Sequence, residues 1–229
     1  MLALRNLFKV KKEEPKAKET VHKKKSDEYT AVRKGETGEY KVAIQLSQLP
    51  KEYRHLNDLL IANPKSASGY SQIDHVVITP YGIFVIETKN FQGTIYGGKE
   101  RKTWLVNGKF KMMNPVLQNY GHIQALKNLL HKRFRPHFQS IVSFTKRCRL
   151  KIDMDLRDIK SDELVIYDLY LTESILRKVA LLKLKYAEPI LNEADINHIH
   201  GIFAAAAITD PAIRRQHIEK LKRNSQKTL

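Results

Sequence analysis

The side chains of this 229-residue chain best suited to chemistry are Asp74, Glu87 and Lys89. They lie in two apolar, β-rich runs, Ser71–Thr79 and Ile83–Asn90, separated by Pro80-Tyr81-Gly82, a pattern that predicts an antiparallel hairpin. Alternate side chains of a strand share a face. Glu87 and Lys89 therefore lie with Ile83 and Val85, and Asp74 with Gln72, Val76 and Ile78. The connection decides whether these faces meet. A two-residue loop, Pro80 and Tyr81, sets Asp74 opposite Glu87, and a four-residue connection sets it opposite Lys89. A three-residue turn with Gly82 as the left-handed bulge residue sets it opposite Thr88 and breaks the cluster. Carboxylates facing each other across strands repel, and a divalent cation between them reverses that sign.

Several elements must hold this hairpin in place. Val42, Leu46 and Leu49 recur on one face of a helix predicted over Thr37–Leu49 and ended by Pro50, with Glu39 at the head of that face. As a first-turn acid Glu39 would favour the helix dipole. His55–Ile61 reads as the first strand, and Ala62–Tyr70 as a loop. His75 follows Asp74, faces away from it and is read as structural. Asn107-Gly108, between Trp104-Leu105-Val106 and Lys109-Phe110-Lys111, signals a hairpin with a type I′ turn. Trp104 is assigned to the core, with base stacking as the other use. Asn114 caps a helix whose first residue is Pro115, with Val116, Tyr120, Ile123, Leu126 and Leu130 as its apolar stripe. Phe138–Phe144 and Leu164–Tyr167 are two further strands, with Lys146-Arg147-Cys148-Arg149 as a basic edge between them. Helices follow over Thr172–Lys185 and Asn192–Ile208, and Asp210-Pro211 opens a last basic one. His198 and His200 face different sides of their helix and make no metal pair.

Charge is uneven along the chain. The total is 41 Lys and Arg against 24 Asp and Glu, a net charge of +17, and residues 90–151 alone hold 13 basic residues against one acid. Such a surface attracts a polyanion, with a solvated lysine-rich face or lipid headgroups as the other readings. Lys99, Arg101, Lys102, Lys109 and Lys111, beside the acidic cluster, are suited to gripping phosphates. Residues 1–34 are charge-dense and proline-interrupted, which predicts a disordered tail. One cysteine, Cys148, excludes an internal disulfide and suits a reducing, cytoplasmic setting. Neighbouring Lys and Arg are expected to lower its pKa, yet no catalytic partner is identifiable. No apolar run is long enough to cross a bilayer, and Met1–Phe8 lacks a signal-peptide pattern. Zinc-type cysteine pairs, a phosphate-binding glycine loop and a His-Glu-x-x-His motif are absent.

Asp74, Glu87-x-Lys89 on adjacent strands resembles the PD-(D/E)xK nuclease core. Gly35-Glu36-Thr37-Gly38-Glu39, Gln72-Ile73-Asp74-His75, Gly82–Asn90, Gly93, Trp104 and Asn114-Pro115-Val116-Leu117-Gln118-Asn119 together are similar to one branch of it, the NERD or nuclease-related domain, over roughly residues 35–135. Gln72-Ile73 stands where the wider motif has its proline, as in NERD sequences. The resemblance implies an α/β fold, a restriction-endonuclease-like mixed sheet flanked by helices. It would occupy residues 35–170, between the tail and a C-terminal helical extension over 171–229. It also implies a DNA nuclease using Mg²⁺ or Mn²⁺, with Asp74, Glu87 and the main-chain carbonyl of Thr88 as metal ligands. Lys89 would position water and stabilise charge, Glu39 would lean toward the metal from its helix, and Gln118 would stand near the reacting water or phosphate. For Gln118 a hydrogen bond within the capping turn is the other role. The rival reading is a nuclease-fold DNA-binding or assembly module without turnover, and RNA stays open as a partner.

Overall fold

A computed structural model describes residues 38–227, with side chains to residue 223. The expectations for the tail over 1–34, for Met1–Phe8 and for Gly35, Glu36 and Thr37 lie outside the described residues. Helix α1 is described over residues 38–46. The central sheet has the order β1-β2-β3-β7-β9, formed by Arg54–Ala62, Tyr70–Thr79, Gly82–Lys89, Phe138–Phe144 and Glu163–Tyr167. Strands β1, β2 and β3 are antiparallel neighbours, whereas β3, β7 and β9 run parallel. All of β7 and most of β3 are buried. Helices cover both faces of the sheet, so its inner strands read as unbroken apolar runs rather than alternating ones.

On one face α2 (Pro115–Leu129) and α4 (Glu193–Ala206) supply Ile123, Leu126, Ile196, Ile199 and Phe203 against Ile73, Val76, Ile78, Ile83 and Val85. On the other, Val42 and Leu46 of α1 and Leu171, Ile175 and Val179 of α3 (Leu171–Lys185) meet Val77, Phe84, Ile86 and Ile141. The helices after residue 170 thus share the core of the sheet. Asn192 opens α4 with a capping box, accepting from the Asp195 amide while the Asp195 carboxylate accepts from its own. The last helix, α5 (Pro211–Lys227), is tied back by Arg214, which pairs with Asp58.

A second sheet, ordered β6-β5-β4-β8, is built from Phe110–Met113, Thr103–Val106, Gly93–Tyr96 and Cys148–Lys151. Its inner face, with Ile95, Trp104, Val106, Cys148 and Leu150, packs on Val142 and Phe144 of β7 and Val165 and Tyr167 of β9. Trp104 is fully buried and donates its indole N–H to Gly98 O at 3.0 Å, so the core assignment holds.

Three local expectations change. Cys148 turns inward on β8, and burial pushes its thiol up to about 11, overriding the cations beside it in sequence. Tyr120 leaves the apolar stripe and is 56% exposed, while Asn119 takes the inward position. The Asn107-Gly108 turn has both residues at positive φ, as expected, but Val106 pairs with Phe110, so Lys109 is an extra residue between turn and ladder.

Candidate active site

The open question of register is answered at the β2–β3 turn. Thr79 pairs with Gly82, leaving Pro80 and Tyr81 as a two-residue connection. Thr79 Oγ1 donates to Gly82 O at 3.0 Å and accepts from the Tyr81 amide at 3.2 Å. The Pro80 carbonyl accepts from the amides of Ile190 and Leu191, both at 3.0 Å. This register continues to His75 opposite Ile86, which puts Asp74 abreast of Glu87. The paired ladder stops there. The Asp74 carboxylate, through Oδ2, accepts the Thr88 N–H at 2.7 Å in place of a main-chain partner.

Glu87 is 2% exposed. Its Oε1 accepts from Lys89 Nζ at 2.5 Å, and the same ammonium donates to Gln118 Oε1 at 2.9 Å. Its Oε2 lies 3.2 Å from His122 Nε2 and is otherwise without a hydrogen-bond partner among the described residues. Gln118 and His122 stand one turn apart on α2 and face each other at 3.5 Å. His122 is therefore a member of the cluster that reading the sequence missed. The available signal was its i,i+4 spacing from Gln118.

Asn119 fixes α2 over this site. Its Nδ2 donates to Val85 O at 2.9 Å and to Ser140 Oγ at 2.8 Å, pinning the first turns of the helix to β3 and β7. Asn114 does the same for the start of α2. Its Oδ1 caps the Val116 amide at 2.9 Å, and its Nδ2 donates to Lys99 O at 3.2 Å and Arg101 O at 2.8 Å. Gly38, at the head of α1, packs near Asn90 and Thr88, which sets Glu39 beside the cluster, close enough to act electrostatically on Asp74.

Electrostatics divide the two acids. Burial, and then Glu87, push the Asp74 carboxyl well above its ordinary value, with the Thr88 amide and Lys89 pulling the other way. Burial also pushes Glu87 up, but Lys89 and His122 together outweigh it and hold its carboxyl below the ordinary value. His75 points away into the sheet, with Nδ1 2.8 Å from Asn57 Oδ1, and burial lowers it to about 4.

Asp74, Glu87, Lys89, Glu39 and Gln118 are thus brought together, and Thr88 lies between Glu87 and Lys89 on β3. The five basic candidates are exposed around the second sheet: Lys99, Arg101 and Lys102 between β4 and β5, Lys109 after the β5–β6 turn and Lys111 on β6. Lys99 is engaged by Glu163 Oε2 at 2.9 Å.

The carboxylate oxygens of Asp74 and Glu87 and the repulsion on Asp74 fit a hard divalent cation. Among the described residues no three His, Cys, Asp or Glu side chains converge on one point. The protein's share of a coordination sphere would then be small, as suits an ion that keeps water and phosphate ligands.

Comparison with known proteins gives two matches. The family model described as nuclease-related domain, NERD, matches residues 34–145. An uncharacterized protein of Bacillus anthracis is 31% identical over 192 residues, covering 82% of this chain and 84% of that protein. No solved structure matches.

Proposed function

We propose that this chain, which belongs to the nuclease-related domain family, hydrolyses DNA phosphodiester bonds with the help of Mg²⁺ or Mn²⁺. The observation that carries the proposal is the gathering of Asp74, Glu87 and Lys89 at one end of β3, with the lysine held between Glu87 and Gln118. Asp74 and Glu87 would hold the ion, with the Thr88 carbonyl as a further oxygen, and the ion would polarise the phosphate and lower the pKa of water.

The chain's own groups have separable tasks. Lys89 presents a fixed positive charge where negative charge builds on the phosphate during attack, which is where pre-oriented charge lowers a barrier most. Gln118 keeps that ammonium from swinging away, because its Oε1 accepts one of the lysine's three donors. His122 steadies the second oxygen of Glu87 from the helix. Glu39 adds negative charge next to Asp74, which strengthens the pull of the site on a cation. Arg101, Lys102, Lys109 and Lys111 lie exposed to receive the flanking phosphates.

The test is nicking of supercoiled plasmid with Mg²⁺, Mn²⁺ or chelator. Wild type cuts only with metal, and Asp74→Ala and Lys89→Ala lose at least about a hundredfold in rate. DNA affinity measured in chelator stays within about twofold, since the flanking contacts carry it. Undiminished cutting by both purified variants refutes the assignment.

A further inference from the structure

We propose that the outer face of the second sheet binds single-stranded nucleic acid, stacking a base on Tyr96 and holding the backbone with Lys111, Arg149 and Lys151. This goes beyond hydrolysis. It uses none of the residues of the acidic cluster and stands whether or not that cluster cuts.

The register assembles the face. Lys111 pairs with Leu105, Leu105 with Tyr96, and Tyr96 with Lys151, so these four residues form one row across all four strands. Arg149, paired with Thr94, flanks the row on β8, and Met113, paired with Thr103, flanks it on β6. Alternation sends Ile95, Trp104, Val106, Cys148 and Leu150 inward, which leaves the row outward. Lys111, Met113, Thr103, Arg149 and Lys151 are exposed and Tyr96 and Leu105 half-buried, so no described element lies over this face.

The chemistry selects the occupant. The four strands hold no acid, and the three charged residues among them are cations on this one face. The Lys151 ammonium lies 5.3 Å from the centre of the Tyr96 ring, so the row already pairs a π face with a positive charge. Lys111 and Lys151 stand three strand spacings apart, roughly 14 Å, with an apolar strip between them. A duplex would offer such a strip only phosphates and sugars. Unpaired bases offer flat apolar faces at the centre and phosphates toward the rim, the arrangement by which open sheets stack two or three bases. The second sheet also begins close to the end of β3 that bears Glu87 and Lys89, because β4 follows β3 after only Asn90, Phe91 and Gln92.

The experiment is fluorescence anisotropy of a labelled single-stranded oligonucleotide and of a duplex of equal length. It uses the full chain carrying Asp74→Ala in chelator, so that cutting plays no part. The single strand is expected to bind more tightly than the duplex. Tyr96→Ala weakens single-strand binding at least about fivefold, and Tyr96→Phe, which keeps the ring, stays within about twofold of wild type. Replacing both Lys111 and Lys151 by Ala lowers the slope of log affinity against log salt by about 1.4, and this readout decides the matter should Tyr96→Ala melt early. An unchanged affinity in Tyr96→Ala, a slope unaltered by the double substitution, or capture by anionic lipid vesicles in preference to the oligonucleotide would each overturn the proposal. Plasmid nicking by the wild type is read separately, so a failure of either proposal leaves the other standing.

Discussion

Asp74→Asn separates an ion site from a structural carboxylate. In chelator Asp74 lies abreast of Glu87, and burial together with that neighbour raises its carboxyl well above 3.8. A carboxyl raised by folding binds its proton more tightly in the folded chain than in the unfolded one. Its stabilising contribution is full below the ordinary aspartate pKa and is lost as pH rises through the folded value. At pH 8 the wild type therefore bears an unrelieved repulsion, of order 1 kcal/mol for like charges directly across strands. Asn removes the charge while its side-chain oxygen can still accept the Thr88 N–H. The variant should melt about 2–4 °C higher than wild type in chelator at pH 8. Adding Mn²⁺ at a hundred times its dissociation constant stabilises the wild type by about 2.7 kcal/mol, or roughly 5–11 °C, and the variant far less. The melting order should thus invert between chelator and Mn²⁺, which scanning calorimetry reads without any substrate. Should the variant be no more stable than wild type in chelator, or should Mn²⁺ stabilise both alike, Asp74 and Glu87 do not share a cation.

Three further outcomes follow from the packing. Asn119→Ala deletes the buried hydrogen bonds to Val85 O and Ser140 Oγ, so chemical denaturation should show a loss of about 2–3 kcal/mol. Nicking should fall with it, since Gln118 and His122 ride on the same turns of α2, and a wild-type midpoint would contradict the pinning role. His75 falls from 6.5 to about 4, so its stabilisation is complete above pH 6.5 and drains away as the pH drops through 4. The amount is about 3 kcal/mol, and the stability–pH curve of His75→Gln should be flatter by that much over this window. Gly97→Ala would set a Cβ 2.2 Å from the Trp104 ring and cost about 1–3 kcal/mol. A shift in the emission of this lone tryptophan should report it, and unaltered emission would mean the ring has room to move.

The strands bearing Asp74, Glu87 and Lys89 are legible from alternation and the Pro-Gly punctuation alone. Their register is not. Three connections were sterically open, and the one adopted is held by Ile190 and Leu191, which donate to Pro80 O from more than a hundred residues downstream. The pairing of β4 with β8 is equally hidden, because four-residue strands carry little periodicity and the parallel partner lies far along the chain. Tyr120 looks like a core residue by composition, yet Asn119 turns inward instead and donates to Val85 O and Ser140 Oγ. Cys148 illustrates the same limit for charge. Cations adjacent in sequence suggested a lowered thiol pKa, and strand parity buried the thiol and raised it instead. His122 escaped because its i,i+4 spacing from Gln118 points to a site only once Glu87 is known to face it.

The downstream helices bear on how the protein can be handled. Ile196, Ile199 and Phe203 of α4 close over Ile73, Val76 and Ile78, and the Ile208 amide donates to Leu60 O at 2.7 Å. A gene trimmed after β7 to isolate the half that bears Asp74, Glu87 and Lys89 would bare this greasy flank and delete β9 from the sheet. Such a truncated polypeptide should collect in inclusion bodies, whereas one carried through α4 should express in soluble form.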